Sequence, residues 1–415
     1  MRLVVLGGSA ASTPELFEAI EAWPDGVERR PELSVALVGR NSAKLELVAR
    51  ASRTRLSRNG ASVAIKTATD ARAALMNADA VLVQVRIGGL AARSFDESFP
   101  WPFGLPGEET MGPGGYANAL RTIPALRDTW RLIEEVAPGA LVIDLTNPSG
   151  MVLQAALRET SLNVLEVCDG PVAFLDGLAA RLGRPTDRLM ARWVGMNHLG
   201  WYVPESPDEL PLLADLATGV DPEMITLFGA VPLPYLRYYV HPDRMLAAQR
   251  DKPTRASQLQ QMETDFLKVY ALLGPGEMPR RGAVWYSKVV VPALDAWLNG
   301  TERTLLLGVR NGGRLPEVPA DAVVELPHRA VRPGIFTALL PVERPPLVER
   351  LLAAQGRYEV LGVDAALAGS HEARLRGLLA NPMVGSYDQA AGLLGTIEAR
   401  EAAGKGVRVA EVPGA

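Results

Sequence analysis

Short apolar runs alternate with amphipathic stretches along the first third of the chain. The apolar runs are predicted strands at Leu3–Leu6, Ser34–Val38, Ser62–Thr67, Ala80–Val85, Ala140–Leu145 and Val164–Val167. Between them, stretches such as Pro14–Ala22 and Ala43–Arg50 have the periodicity of helices that cross over a sheet. Continuous apolar strands that alternate with helices predict a parallel sheet covered on both faces. Right-handed crossovers then favour an α/β fold with a doubly wound, Rossmann-type sheet.

The alternation ends near Val167, which predicts a change of domain. The elements predicted after it are a helix at Val172–Leu182, a strand at Arg192–Gly195, a long helix at Ser257–Leu273, strands at Thr304–Val309 and Ala322–Glu325, and two final helices. We therefore expect a Rossmann dinucleotide-binding domain at 1–167 and an α+β domain at 168–415. The second domain would carry the catalytic and metal-binding groups and the oligomer contacts. The Gly/Pro-rich tail at 412–415 is expected to fray.

Composition and charge argue against nucleic-acid and membrane partners. The chain has 415 residues, a formal net charge of −4 and a single cysteine, Cys168. This charge gives no broad positive field, so we expect no nucleic-acid partner. The first residues have too short an apolar run for a signal peptide, and no run approaches the length of a membrane span. With one cysteine and no leader, the sequence predicts a cytoplasmic protein with no membrane partner.

A glycine turn follows the first predicted strand. It has the sequence Gly7-Gly8-Ser9-Ala10-Ala11-Ser12-Thr13-Pro14, with Thr13 predicted as the N-cap of the next helix. Glycines let the backbone approach a pyrophosphate, and the helix start offers unpaired N–H groups. The spacing departs from the usual G-x-G-x-x-G, and a purely structural turn is the alternative. We predict that Gly7, Gly8, Ser9 and Thr13 bind a dinucleotide.

The second predicted strand ends on Val38-Gly39-Arg40-Asn41, without the acidic residue that usually holds the ribose 2′-hydroxyl of NAD. Arg40 could meet a 2′-phosphate, lie against adenine, or be a surface residue on a turn. These residues leave the choice between NAD and NADP open; NAD is the expected cofactor, and NADP is the alternative.

Polar segments follow several predicted strands, where open α/β sheets bind ligands. One is a stretch of about 30 residues from Arg86 to Gly115, predicted as a long functional loop without regular structure. Others begin at Asp144, Cys168 and Gly195. Cys168 and His198 together would suit a transition metal with positions left for substrate oxygens. A buried thiol and a core histidine are the alternative.

These segments, in this order, resemble glycoside hydrolase family 4, the NAD- and divalent-metal-dependent glycosidases. The matching stretches are GGSAASTPEL, the long segment through ETMGPGGYANALRTIP, LTNPSG, CDGP, GMNHLGW, PYLRYYVHPDRM, RRGAVWYS and LLANPMVGS. In the family, a Cys-Asp-x-Pro tetrapeptide accompanies 6-phospho-α-glucosidases. This chain has Cys168-Asp169-Gly170-Pro171, whereas PYLRYY and RRGAVWYS are more similar to the β branch. The expectation is a 6-phospho-β-glucosidase, with the α-type or another glycosidase of the family as the alternative.

The resemblance implies a redox-assisted mechanism and assigns roles to residues. The C3 hydroxyl of the sugar is oxidised, the C2 proton is removed, the C1 oxygen is eliminated, water adds, and C3 is reduced again. Cys168 and His198 carry over as metal ligands, with manganese expected. Tyr235 matches the catalytic base, and Asp169 matches the acid of the α-type enzymes.

The resemblance also implies the substrate contacts and the partners. Arg255 matches an arginine near the sugar phosphate, and Arg93, Glu109, Asn147 and Asn197 match other substrate-contacting positions. The expected partner is a phosphorylated disaccharide or glycoside, and the expected assembly is a homodimer or homotetramer. An NAD(P)-dependent hydroxy-acid dehydrogenase and a non-catalytic nucleotide sensor are the alternative functions.

Overall fold

The computed structural model describes residues 1–24, 26, 30–59, 63–216, 219–272 and 278–404. The predicted tail at 412–415 lies outside these residues, as do Ser62 and Leu273 at the ends of two predicted elements. Within the described ranges, no helix combines the length and the apolar character needed to cross a membrane.

The strands of the described residues form one 12-stranded sheet. They are β1 Arg2–Leu6, β2 Ser34–Val38, β3 Ala64–Ala68, β4 Ala80–Val83, β5 Leu141–Asp144, β6 Asn163–Glu166, β7 Trp193–Met196, β8 Leu199–Tyr202, β9 Val231–Pro232, β10 Thr304–Arg310, β11 Val323–Arg332 and β12 Ile335–Ala338. Their order is β3-β2-β1-β4-β5-β6-β10-β11-β7-β8-β9, with β12 paired to β11.

The first half of the sheet is parallel and doubly wound, and the second half is antiparallel. β1 pairs in parallel with β2 and with β4, and the order reverses at this point. β10 joins the parallel half by antiparallel pairing of Gly308 with Glu166. A Cβ at Gly308 would overlap the Glu166 carboxylate, so a glycine is needed at this junction. The predicted α/β fold class is confirmed, and both halves share one sheet.

Two hydrophobic clusters cover the two faces of the parallel strands. Leu3, Val5 and Leu37 point into one cluster, and their neighbours Val4 and Leu6 point into the other. This alternation in strands that are apolar throughout is the pattern of a sheet buried on both sides.

The helices lie on both faces and at the carboxyl edge of the sheet. They are α1 Thr13–Glu21, α2 Ser42–Asn59, α3 Ala71–Leu75, α4 Gly89–Ser98, α5 Gly112–Val136, α6 Ser149–Glu159, α7 Asp169–Leu182, α8 Thr186–Met190, α9 Glu209–Leu213, α10 Pro222–Phe228, α11 Arg237–Val240, α12 Pro242–Arg250, α13 Arg255–Leu272, α14 Val291–Asn299, α15 Pro346–Ala368, α16 His371–Ala380 and α17 Tyr387–Gly404. Short 3₁₀ segments occur at Trp101–Phe103, Ala214–Leu216 and Pro234–Leu236, and a π segment at Tyr286–Val290.

The predicted long loop after β4 is wrong, because α4 lies within it and α5 begins before its end. Gly88, with φ of +77°, makes the turn into α4. Phe95 and Phe99 stack at 4.6 Å between ring centroids. Arg93 and Asp96 are nevertheless buried. The buried face of this helix is therefore polar. Because a buried helix face is normally apolar, the hydrophobic pattern of the sequence does not predict α4.

Three helices, rather than the predicted two, end the described chain. Gly369, with φ of +69°, terminates α15. The Ser370 hydroxyl then accepts a hydrogen bond from the Ala373 backbone N–H at 3.2 Å and caps α16. This Gly-Ser pair separates α15 from α16.

Candidate active site

A cavity of about 1280 Å³, called the central cavity below, opens where the parallel strands end. Its wall includes residues that follow β1, β2, β4, β5 and β6 directly. The predicted site residues in this wall are Gly7, Ser9, Arg40, Arg93, Glu109, Asn147, Cys168, Asp169, His198, Tyr235 and Arg255. The other predicted site residues, Gly8, Thr13 and Asn197, lie behind the wall.

Gly7 and Gly8 form a tight turn between the first two strands. Their backbone N–H groups both donate to the Val38 carbonyl, at 3.1 and 2.9 Å. Gly7 has φ of +87°, and a Cβ there would lie 2.5 Å from the Gln84 carbonyl oxygen. A Cβ at Gly8 would lie 2.8 Å from Leu37. Glycine is therefore required at both positions for packing, and only Gly7 faces the central cavity.

Thr13 is the first residue of α1 and not its N-cap, so that prediction is wrong. The N-cap is Ser12, whose side chain makes no capping hydrogen bond. The Thr13 hydroxyl instead accepts a hydrogen bond from Gln84 Nε2 at 3.2 Å. Gln84 in turn accepts one from the Tyr286 hydroxyl at 2.8 Å. This chain of side chains ties the start of α1 to the residue that follows β4, which fixes the turn that faces the cavity.

Cys168 and His198 enter the cavity from two different elements. Cys168 is the N-cap of α7 and lies two residues after the end of β6. His198, with φ of +62°, is the second residue of the two-residue turn between β7 and β8. Burial lowers the pKa of His198 to about 4, so its ring is neutral and able to bind a metal at pH 7.

The donor set at this point fits a transition metal. The buried Nδ1 of His198 has no hydrogen-bond partner in the structure. Burial, followed by the carboxylates of Glu325 and Asp169, raises the pKa of the Cys168 thiol well above its ordinary value. A cation would offset that effect and favour the thiolate. Among the described residues, no group of three or more histidine, cysteine or acidic side chains forms a metal cluster.

Tyr235 lies against His198. The two rings stack with centroids 4.1 Å apart and planes 9° apart. Tyr235 belongs to the 3₁₀ segment that precedes α11. Burial, followed by repulsion from Glu108 and Cys168, raises the pKa of the Tyr235 phenol. Without a nearby cation the hydroxyl is thus held protonated.

Glu109 is the centre of a buried polar network. It forms ion pairs with Arg86 and with Arg93, the latter at 2.7 Å. Asn147 Nδ2 donates to its carboxylate at 3.3 Å. Burial opposes ionisation, but the two arginines outweigh it and lower the pKa of Glu109. Arg93 also donates to Glu97 at 2.6 Å, so this network is held in place before any ligand arrives.

Two further arginines, Arg255 and Arg281, line the cavity. Arg255, at the start of α13, is exposed and its guanidinium donates to Gln258 at 3.0 Å. Arg281 also lines the cavity and lies over the Trp285 ring at 4.9 Å. Burial, followed by repulsion from Arg86 and Arg93 and then from Arg255, lowers the pKa of Arg281. Arg281 is not among the predicted site residues, although the segment RRGAVWYS contains it.

Asp169 lies in the cavity wall, and Asn197 is buried behind it. Asp169 is the first residue of α7, and burial raises the pKa of its carboxyl. Asn197 is buried and donates to Glu166 at 3.1 Å, while its own Oδ1 has no partner. It therefore anchors the β7–β8 turn, next to His198, to the end of β6.

Comparison with known proteins finds matches over most of the chain. A sequence profile described as "Family 4 glycosyl hydrolase" matches residues 2–184, and one for the C-terminal domain of that family matches residues 193–384. A probable 6-phospho-beta-glucosidase of Bacillus subtilis is 29% identical, with 93% of each chain covered. A phospho-alpha-glucosidase of Clostridium acetobutylicum is 27% identical over 94% of this chain and 96% of the relative. The solved 6-phospho-beta glucosidase of Thermotoga maritima with manganese, NAD⁺ and glucose-6-phosphate has a TM-score of 0.85 at 23% identity, covering 97% and 99%.

Proposed function

The chain belongs to family 4 of the glycosyl hydrolases and is a glycosidase, and we propose that it hydrolyses 6-phospho-β-glucosides with the help of a nicotinamide dinucleotide and a divalent cation. The observation that carries this proposal is the shared cavity. Four features face the central cavity: the glycine turn, the pair Cys168 and His198, the stacked Tyr235, and the arginine group formed by Arg255 and Arg281. A hydroxy-acid dehydrogenase or a nucleotide sensor would need only the first of these.

The residues present fit both groups. Gly7 has a positive φ and faces the central cavity on the turn between β1 and α1, which suits a pyrophosphate next to a helix N-terminus. His198 has an unpartnered ring nitrogen, and Cys168 supplies a thiol in the same cavity. When bound, the nicotinamide would accept and return the C3 hydride, and the cation, manganese as in the Thermotoga enzyme, would act as a Lewis acid on the sugar hydroxyls.

Tyr235 is the proposed base for the C2 proton. A ketone at C3 acidifies that proton, so a phenolate is a sufficient base. The stack on His198 fixes the position of the phenol beside a metal ligand. Burial raises the pKa of the Tyr235 phenol, so Tyr235 would become a base only when a bound cation lowers that pKa. Metal binding and base activation are thus coupled in this proposal.

Asp169 bears on the choice between β- and α-linked substrates. Burial raises the pKa of its carboxyl, which suits a group that protonates a leaving oxygen. In a β-type site, Asp169 would instead accept a hydrogen bond from the sugar. The similarity of PYLRYY and RRGAVWYS to the β branch, and the Bacillus relative, favour the β-linked substrate.

The arginine group favours a phosphorylated sugar. Arg255 and Arg281 line the cavity, and repulsion from Arg255 adds to burial and to repulsion from Arg86 and Arg93 in lowering the pKa of Arg281. A phosphate dianion would relieve that repulsion, and guanidinium groups bind phosphate oxygens in a bidentate manner. Arg93, Glu109 and Asn147 are proposed to hold the sugar hydroxyls, and Asn197 to position His198.

The test is release of nitrophenol from four substrates in the presence of dinucleotide and manganese. The substrates are the α- and β-linked nitrophenyl glucosides, each with and without a 6-phosphate. The proposal expects turnover of the 6-phospho-β-glucoside, with the dinucleotide needed only in catalytic amount. Turnover of the α-linked substrate alone would support the alternative within the family. The division into domains at 1–167 and 168–415 and a homodimeric or homotetrameric assembly remain part of the proposal.

A further inference from the structure

The end of β2 lies beside the dinucleotide turn. Val38 is the last residue of β2 and accepts hydrogen bonds from both Gly7 and Gly8. A Cβ at the next residue, Gly39, would lie 3.1 Å from the Ser9 hydroxyl. Arg40 follows immediately and lines the central cavity. In Rossmann folds this position faces the adenosine ribose of the dinucleotide.

The residues at this position supply positive charge where NAD-binding folds supply a carboxylate. Gly39, Arg40 and Asn41 contain no acid. The Asn41 side chain caps α2 by accepting a hydrogen bond from the Lys44 backbone N–H at 2.9 Å. This cap turns the chain so that Lys44, one helical turn after Arg40, lines the same cavity. Two cationic side chains therefore flank the start of α2, on the ribose side of the glycine turn.

Glu263 of α13 is the carboxylate that faces this pair across the cavity. It accepts an ion-pair contact from Lys44 Nζ at 2.8 Å, and both side chains are about a quarter exposed. The carboxylate is thus already engaged by Lys44, which reduces its capacity to hold a ribose hydroxyl. Two of these side chains, Arg40 and Lys44, are cationic and one, Glu263, is anionic, so together they carry a net positive charge.

We propose that the end of β2 binds a 2′-phosphate on the adenosine ribose, so that this chain binds NADP more tightly than NAD. This rests on the proposed function only in that a dinucleotide occupies the central cavity. The guanidinium of Arg40 would hold two phosphate oxygens, and the ammonium of Lys44 would add a second contact next to the N-terminus of α2. In NADP-binding Rossmann folds, a nearby arginine accommodates the 2′-phosphate in place of the acid that holds the hydroxyl.

The test is direct binding to the metal-free protein, without any sugar. Dissociation constants for NADP⁺ and NAD⁺ are measured by calorimetry, for the wild type and for Arg40→Ala, Arg40→Asp and Arg53→Ala. Arg53 lies on α2 outside the cavity wall and is the matched control. We expect NADP⁺ to bind about 10- to 150-fold more tightly than NAD⁺, the ratio of a charge-assisted contact. Arg40→Ala should remove this ratio, Arg40→Asp should reverse it, and Arg53→Ala should leave it unchanged.

Other outcomes overturn the inference in distinguishable ways. Wild-type protein that binds NAD⁺ as tightly as NADP⁺, or more tightly, contradicts the 2′-phosphate site and leaves the proposed glycosidase function intact. Glu263→Gln adds a further check, because it should tighten NADP⁺ binding by removing a negative charge. If Glu263 held the ribose hydroxyl of NAD instead, the same variant would weaken NAD⁺ binding. Failure to bind either dinucleotide would overturn the proposed function as well.

Discussion

The ring of His198 stacks on the ring of Tyr235, with 4.1 Å between the centroids and 9° between the planes. His198 is a candidate metal ligand and Tyr235 is the candidate base, and they come from a hairpin turn and a 3₁₀ segment. The contact is made by the faces of both rings. Replacing Tyr235 by phenylalanine therefore preserves the packing and removes only the hydroxyl, which makes the following variants informative.

Tyr235→Phe should lower kcat by about 10²- to 10⁴-fold, the usual loss when one positioned general base is removed. The variant should retain metal and dinucleotide binding, because neither depends on the phenol. Tyr238→Phe is the matched control, since that ring lies 6.4 Å from Tyr235 and outside the cavity wall. A Tyr235→Phe enzyme with the wild-type kcat would remove Tyr235 from the mechanism.

Chelation followed by dialysis should abolish turnover, and added manganese should restore it. His198→Ala should prevent the recovery, because it deletes the ring nitrogen that is unpartnered in the buried site. Electron paramagnetic resonance of bound Mn²⁺ gives a second readout, which should be lost in His198→Ala and retained in His371→Ala. His371 is exposed and pairs with Glu398. Full activity of metal-free protein would contradict the proposed metal site at Cys168 and His198.

Arg255→Ala should lower kcat/KM for the 6-phosphorylated substrate by about 10- to 150-fold, the range expected for one charge-assisted hydrogen bond of about 1.5–3 kcal/mol. The loss should appear mainly in KM, because the phosphate is remote from the reacting carbons. Arg244→Ala is the control, since Arg244 is exposed on α12 and pairs with Asp221. Equal wild-type kcat/KM on plain and phosphorylated substrates would exclude phosphate recognition.

Stability should fall with rising pH because of Glu359. Burial raises the pKa of this carboxyl from 4.5 to about 8. The folded state therefore binds the proton more tightly than the unfolded chain does. Its contribution to stability is fully present below about pH 4.5 and is lost as the pH rises through about 8. We expect denaturant unfolding at about pH 5.5 and pH 8.5 to show a smaller loss of stability for Glu359→Gln than for wild type. The control is Glu349→Gln, which changes a half-buried glutamate of the same helix that pairs with Arg344 at 3.8 Å.

The parallel half of the fold follows closely from the hydrophobic pattern. The observed β2 matches the predicted Ser34–Val38, and the observed β5, Leu141–Asp144, lies inside its prediction. Strands buried on both faces are continuous apolar runs, which a one-dimensional pattern describes well. The long helix α13 was also predicted to within two residues at its start.

The elements around the site were less predictable for a physical reason. In α4 the buried face carries Arg93, Asp96 and Glu97, so its polarity is the reverse of that of an ordinary amphipathic helix. Arg281 lines the cavity because its segment, distant in sequence, packs against the first helix. The Arg281 backbone N–H donates to Glu15 of α1 at 2.7 Å. Local patterns contain no information on such returns, and the family resemblance gave the order of the segments without their contacts.

The exchange of hydrogen at C2 of the sugar tests the central claim most directly. If Tyr235 removes the C2 proton, that proton must be replaced from solvent before the product leaves. Hydrolysis of the 6-phospho-β-glucoside in deuterated water, followed by nuclear magnetic resonance or mass spectrometry of the released sugar phosphate, should show deuterium at C2. Direct displacement at C1 leaves the C2–H bond intact, so a product without deuterium at C2 would contradict the account.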